Sequence, residues 1–254
     1  MHDIVILAGE HPWTWALANA LRRRFGDVPI ILERHQSSIL LLRNRIRRLG
    51  LLTAVGQLGF WLCAKAIRPR YSRREQEILI REGFDTSPIE RDVIHVPSAN
   101  DDRTISTLRA LKAKVVIISQ TRILSRRVLE SIPAAFINVH TGITPQYRGH
   151  HGAYWSLVNG EPESCGVSVH IVDPGVDTGP VIAQARIIPS PADSYFTYHW
   201  LQLAAALPLL IRAIEDALSG RLVTRKPRTD VDSRQYYHPT IWNYFWSGWS
   251  RGVW

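Results

Sequence analysis

The sequence predicts an α/β chain: a Rossmann-like open, mostly parallel sheet flanked by helices. Three observations predict it. Ile4 to Leu7 is a continuous apolar run, as a strand buried on both faces requires, and Val28 to Leu32 is a second one. Between them, Trp13 to Phe25 has helical character after Pro12, a residue suited to a first helical turn. A strand-helix-strand unit of this length belongs to an open sheet, and 254 residues with 45% hydrophobic content can bury one full core.

The same rhythm returns later. A strand is expected at Val93 to Val96, a helix at Ile105 to Leu111 and a strand at Val115 to Ser119. A short helix at Arg126 to Ser131 leads to a strand at Ala135 to Val139. Further β signals lie at Gly166 to Val172, alternating as Val167, Val169 and Ile171, and at Val181 to Ile188. A long helix is expected from Tyr195 to Leu218, bent at Pro208 and closed by Gly220.

Between these halves the pattern is interrupted by a helical, basic insertion at about residues 36–74. Ile39, Leu42, Ile46 and Leu49 fall at helical spacing with arginines between them. Leu49 to Ala64 follows without a charge, too short for a comfortable membrane span of roughly 20 residues and diluted by three glycines. From Tyr71 to Gly83 a charged helix is expected. Ten basic and no acidic residues lie between Arg34 and Arg74, more than the whole formal excess of +9. The positive charge therefore belongs to one stretch, which suggests phosphates or an anionic lipid surface there and not a general nucleic-acid binder. The uncharged stretch has three expected partners: the sheet, a second subunit or a membrane interface.

Residues 236–254 carry eight aromatics in nineteen positions. The domain reading is one unit over residues 1–220 and a short aromatic C-terminal extension over residues 221–254. Tyr and Trp pack domains and dimers, and they also populate membrane interfaces; both readings stay open. Cys63 and Cys165 lack metal-type spacing, and the N-terminus reads as a strand and not as a leader. A reducing, cytoplasmic setting is expected, with membrane association left open.

Candidate chemistry gathers at two blocks. In the first, Phe136 to Gly149, a buried strand ends in a Pro/Gly loop, and a side-chain period of two places Asn138 and His140 on one side at its C-terminal end. Clefts of open α/β sheets form there, and an amide beside an imidazole suits an oxygen that gains negative charge during acyl transfer. The second block, Gly166 to Pro180, is a strand followed by a turn-rich loop bearing Asp173 and Asp177, carboxylates that can accept a proton.

These blocks resemble the 10-formyltetrahydrofolate-dependent formyltransferase family, closest in kind to its sugar N-formyltransferases. The matching residues are Asn138, His140, Pro145, Tyr147, Arg148 and Gly149, then Gly166, Val167, Val169, His170, Asp177 and Gly179. A third block, Arg122-Ile123-Leu124, resembles the family's folate-contacting loop. The resemblance implies that an amine attacks a formyl carbon while Asn138 and His140 stabilise the oxyanion and Asp177 takes or relays the proton. It implies 10-formyltetrahydrofolate as co-substrate, lying against Arg122, Ile123 and Leu124 and against a loop with Asp173, Gly175 and Val176. No metal is implied. Arg148, Gly149, His150 and His151 are expected on the acceptor side, whereas His170 and His199 read as core or loop residues. The family's Pro-Ser-Leu-Leu is replaced by Thr141-Gly142-Ile143-Thr144, which alters the acceptor side.

The first loop, Ala8-Gly9-Glu10-His11-Pro12-Trp13, has one Gly followed by Glu and Trp and is a poor phosphate cradle, which argues against a glycinamide ribonucleotide acceptor. Only 34 residues follow Gly220, few for the tRNA-gripping domain of methionyl-tRNA enzymes, so no nucleic-acid partner is expected. The expected acceptor is a small amine, foremost an amino sugar on a nucleotide or lipid phosphate. An amino-acid or hydroxylamine-type amine is the alternative, and a catalytically idle folate-binding protein is the alternative of another class. Contact with an anionic membrane and homodimerisation are both left open.

Overall fold

The computed structural model describes residues 2–254, the side chains of Ser38 and Leu40 excepted. β1 (Ile4–Gly9), α1 (Pro12–Phe25) and β2 (Ile30–Glu33) form the first crossover. Three helices, α2 (Ser38–Leu49), α3 (Leu51–Ile67) and α4 (Ser72–Glu82), precede β3 (Val93–Val96). Then come α5 (Asp102–Leu111), β4 (Val115–Ser119), α6 (Arg126–Leu129), β5 (Ala135–His140), β6 (Tyr147–Gly149) and α7 (Gly152–Val158). β7 (Gly166–Ile171), β8 (Val181–Arg186), α8 (Tyr198–Leu218), β9 (Arg234–Tyr236) and α9 (Ile241–Arg251) complete the chain.

Seven strands form one sheet in the order β3-β2-β1-β4-β5-β7-β8. β1 to β5 pair in parallel, and β7 and β8 close that edge antiparallel. β6 and β9 make a separate parallel ribbon that ties the C-terminal extension to the loop after β5. The period of two sorts the core. Ile4, Ile6 and Ala8 of β1 and Val115 and Ile117 of β4 face one layer with α1 and α8; Val5, Leu7, Val116 and Ile118 face the other with α5 and α6. Along β5, Ile137 and Val139 join the first layer and Phe136 the second, so Asn138 and His140 continue the Phe136 face beyond the core.

Local polar needs explain where elements depart from the sequence pattern. β2 extends to Glu33, a buried carboxylate that accepts the backbone N–H groups of Ala99 at 2.8 Å and Arg122 at 2.8 Å. α8 starts at Tyr198 because Asp193, accepting the Ser190 N–H at 2.8 Å and the Arg74 guanidinium at 2.8 Å, closes a turn before it. The helix then runs uninterrupted through Pro208. Trp200 donates to Glu75 at 2.9 Å, so α4 is pinned to α8 by polar contacts inside an apolar layer.

The insertion and the extension pack together, which no sequence period reveals. Gly50, with φ of 85°, separates α2 from α3. Ala54, Gly56, Gln57 and Phe60 turn inward, and α3 packs on α9. The ring of Trp242 lies where a side chain on Gly56 would stand, and Gln57 donates to the His238 carbonyl at 2.8 Å. Phe60 joins Tyr195 and Tyr244 at centroid distances of 5.0 and 5.1 Å in a third, largely aromatic core.

Trp200→Ala removes a fully buried indole and leaves Glu75 with the Arg68 guanidinium as its donor; a loss of about 3–5 kcal/mol is expected, read as a lower urea midpoint at unchanged slope.

Candidate functional site

Strand pairing sets the site. In the antiparallel register of β5 on β7, Asn138 lies opposite His170 and His140 opposite Ser168. All four side chains therefore project on the same face, at the C-terminal end of β5. The loop between β7 and β8 brings Asp177 over them. Gly179 makes this approach possible, because a Cβ there would stand 1.8 Å from the Ile171 carbonyl. Asp177 itself has φ of 51°, in the left-handed region that aspartate tolerates better than most non-glycine residues.

The groups converge within hydrogen-bond range. Asp177 Oδ2 lies 3.3 Å from His140 Nδ1 and accepts the Gly149 N–H at 2.9 Å. Its Oδ1 lies 3.5 Å from both Asn138 Nδ2 and His170 Nε2. Asn138 Nδ2 is 3.2 Å from His170 Nε2, whose Nδ1 faces the Ile171 carbonyl at 2.8 Å. A neutral His170 that donates from Nδ1 accepts from the Asn138 amide. His140 and His170 are buried; Asn138 is the member of the cluster held in the sheet that remains partly open.

His140 is placed differently from the expectation that it meets an oxyanion directly. Its Nε2 faces the Tyr147 carbonyl at 2.7 Å while Nδ1 faces Asp177, so both ring nitrogens are engaged. The departure at Gly142 permits this: a Cβ there would stand 2.3 Å from the Tyr147 carbonyl oxygen and 2.8 Å from His140 Nε2. Burial draws the His140 pKa below the ordinary imidazole value, while Asp177 and the Tyr147 carbonyl pull it back. For Asp177, burial acts upward, but His140, His170 and the Gly149 N–H outweigh it and hold the carboxyl well below the usual range.

The remaining candidate residues divide by position. Arg122 is fastened by its backbone to Glu33 and donates through Nη2 to the Arg34 carbonyl at 2.7 Å. Ile123 is exposed beside it, whereas the Leu124 side chain belongs to the core, leaving its main chain as the contact on offer. Asp173 organises its own loop, accepting Thr178 Oγ1 at 2.8 Å and the Gly175 N–H at 3.2 Å. Arg148 clasps that loop to the extension, donating to the Val176 carbonyl at 3.1 Å and to Ser233 at 2.9 Å.

His150 stacks on His238 at 4.6 Å, and His151 Nε2 meets His238 Nδ1 at 2.9 Å and the Tyr195 hydroxyl at 2.8 Å. Burial holds the His151 imidazole well below its ordinary pKa, with His238 and His150 adding to it. The loop after β5 thus adjoins the extension. A cavity of about 860 Å³, lined among others by Tyr147, Glu161, Arg186, Arg228 and Arg234, lies apart, as none of Asn138, His140, His170 and Asp177 lines it.

Sequence reading missed His170 as a member of the cluster. The signal was the alternation Val167, Val169, Ile171, which sends Ser168 and His170 to the opposite face; only the register with β5 identifies that face with Asn138.

A sequence model of the formyl transferase family matches residues 74–203. The chain belongs to that family. The family match spans the whole cluster, from α4 through β5 and β7 to the start of α8. Among relatives, the chain is 29% identical over 167 residues to the methionyl-tRNA formyltransferase of Trichlorobacter lovleyi, covering 65% of this chain and 49% of that protein. The chain thus spans about half the length of the methionyl-tRNA formyltransferases it matches. In fold it is similar to a 4-N formyltransferase from Francisella tularensis, with a TM-score of 0.58, 13% identity and coverage of 95% of this chain and 78% of the other. It is also similar to the N-formyltransferase from Helicobacter canadensis, solved with folinic acid and dTDP-3-aminofucose, with a TM-score of 0.56, 16% identity and coverage of 93% and 71%.

A carboxylate with a depressed pKa stabilises the fold fully above its unfolded value of about 3.9 and loses that contribution as pH falls toward the native value. The stability advantage of the native protein over Asp177→Asn is therefore expected to be constant above about pH 5 and to shrink steadily below pH 4. Urea titrations of both proteins across this range check it; an advantage unchanged down to pH 2 contradicts the ion cluster.

Proposed function

We propose that the protein is an N-formyltransferase moving a formyl group from 10-formyltetrahydrofolate to the amine of a small acceptor, foremost an amino sugar on a nucleotide or lipid phosphate. The observation that carries this reading is the convergence of Asn138, His140, His170 and Asp177 at the open end of β5.

The residues around the cluster fit a reduced folate. Ile123 offers an exposed apolar side chain on the loop after β4. Among the described residues, the main-chain N–H groups of Leu124, in the loop after β4, and Val176, in the loop that carries Asp177, have no hydrogen-bond partner within the protein. An apolar contact and main-chain donors suit a flat heterocycle with amide and amine edges. Arg122, Ile123 and Leu124 would hold it from one loop, and Asp173, Gly175 and Val176 would shape the other. Bound there, 10-formyltetrahydrofolate supplies an activated formyl carbon.

In this reading Asn138 donates its carboxamide N–H to the oxygen that gains charge as the amine adds, the preorganised contribution such donors make. Asp177, whose low pKa makes it a poor final resting place for a proton, orients the amine and passes its proton toward the neighbouring imidazoles. His140, held between Asp177 and the Tyr147 carbonyl, fixes the charge and position of that carboxylate. His170, directly opposite Asn138 in the sheet, holds the amide in place.

A small acceptor is supported by the Helicobacter canadensis neighbour, whose fold holds an aminated nucleotide sugar together with a folate. The methionyl-tRNA formyltransferase relatives make methionyl-tRNA a necessary member of any acceptor panel. Tetrahydrofolate release, followed with aminated nucleotide sugars, amino acids, hydroxylamines and methionyl-tRNA, should show turnover with an amino sugar. Asp177→Asn should lower kcat by roughly 10²–10⁴-fold and Asn138→Ala by about 10²–10³-fold. Turnover confined to tRNA or to amino acids would replace the acceptor while keeping the reaction. Folate binding without turnover on any amine would leave an idle binding protein.

A further inference from the structure

The surface shared by the insertion and the extension is built inside out. On α3, the stripe Leu51, Leu52, Val55, Leu58, Trp61 and Leu62 is exposed, while the small residues Ala54 and Gly56 face the protein. On α9, Trp242, Trp246 and Trp249 recur one turn apart on the outward side, with Trp246 and Trp249 exposed by 72% and 77%. The two helices that carry these stripes pack directly on each other, with the Trp242 ring against Gly56 of α3. On α2, which buries none of its described side chains, Ile39, Leu42 and Ile46 add exposed apolar groups at helical spacing.

The charged side chains of α2 and α3 beside this apolar face are all of one sign. Arg43, Arg47 and Arg48 are exposed and make no ion pair among the described residues. At the far end of the α3 stripe the Lys65 ammonium sits 3.7 Å from the centroid of the Trp61 ring, and Arg70 follows. A groove of about 430 Å³ lined by Trp242, Asn243, Phe245, Trp246 and Trp249 gives the face a recess of acyl-chain character.

We infer that this surface docks the protein in plane on an anionic phospholipid bilayer, with the α3 and α9 apolar stripes entering the interface and the arginines of α2 meeting the headgroups. Exposed indoles, an apolar helix face and a cationic rim are the composition of an interfacial anchor. Among the described residues no helix is long and apolar enough to cross a membrane, so the contact is with one leaflet. A second copy of the chain suits the face less well. An isologous interface pairs the patch with itself, so the α2 arginines of each copy would lie in a contact to which residues 34–74 of either copy bring no acidic side chain.

Sedimentation of the full chain with phosphatidylcholine vesicles, with and without phosphatidylglycerol, tests this. Binding is expected on the anionic vesicles, weakening with salt. Each removed arginine should cost about fivefold in affinity, so R43Q/R47Q/R48Q should bind on the order of a hundredfold more weakly. W246S/W249S alters two exposed positions and should lose both binding and the quenching of tryptophan fluorescence by brominated lipid. No binding, or equal binding to both vesicle types, overturns the inference. So does a dimer seen by light scattering that W246S/W249S disperses without any vesicle binding, since the patch would then serve a second copy.

Discussion

The pairing of β7 against β5 is the constraint on which the site depends. A parallel strand in that position would need a long crossover and would present a different residue beside Asn138. The antiparallel neighbour instead fixes His170 directly opposite the amide. With two polar residues of each strand locked on one face, the loop that follows β7 needs only one carboxylate to close the cluster. The close approach at Gly179 shows how tightly that loop is held. Position therefore comes from sheet geometry, and charge comes from a single side chain lowered onto it.

Electrostatics follow from the placement. A buried carboxylate next to two imidazoles and a main-chain N–H stays ionised, and its charge in turn sets which ring nitrogens carry protons. None of these groups acts alone. The amide, both imidazoles and the carboxylate share hydrogen-bonding capacity, so a change of protonation at one redirects the donors of another.

How much of this was legible depended on the range of the interaction. The parallel half of the sheet could be read directly, since runs such as Ile4 to Leu7 and Val115 to Ile118 are apolar because both faces are buried. Asn138 and His140 were legible as a pair through the period of two, and Asp177 through its motif. His170 was not, because its meaning lies in a cross-strand register joining residues 32 positions apart. Leu124 and Arg148 lay in motifs that point to ligands, but the first side chain fills the core and the second ties one loop to another. The union of α3 with α9 was equally hidden: a glycine at position 56 carries no periodic signal, yet it is the seat of an indole from the far end of the chain.

The glycine at position 142 has a consequence for how this protein can vary. By leaving out one carbon, it lets a main-chain oxygen from the next turn become the fixed neighbour of a buried imidazole. The segment from Thr141 to Tyr147 and the ring it surrounds are thus a matched set. Transplanting the ordinary family loop into this scaffold would force the imidazole or the strand after it to relocate. Divergence here has to proceed by concerted change, so this stretch should travel between relatives as a block and not residue by residue.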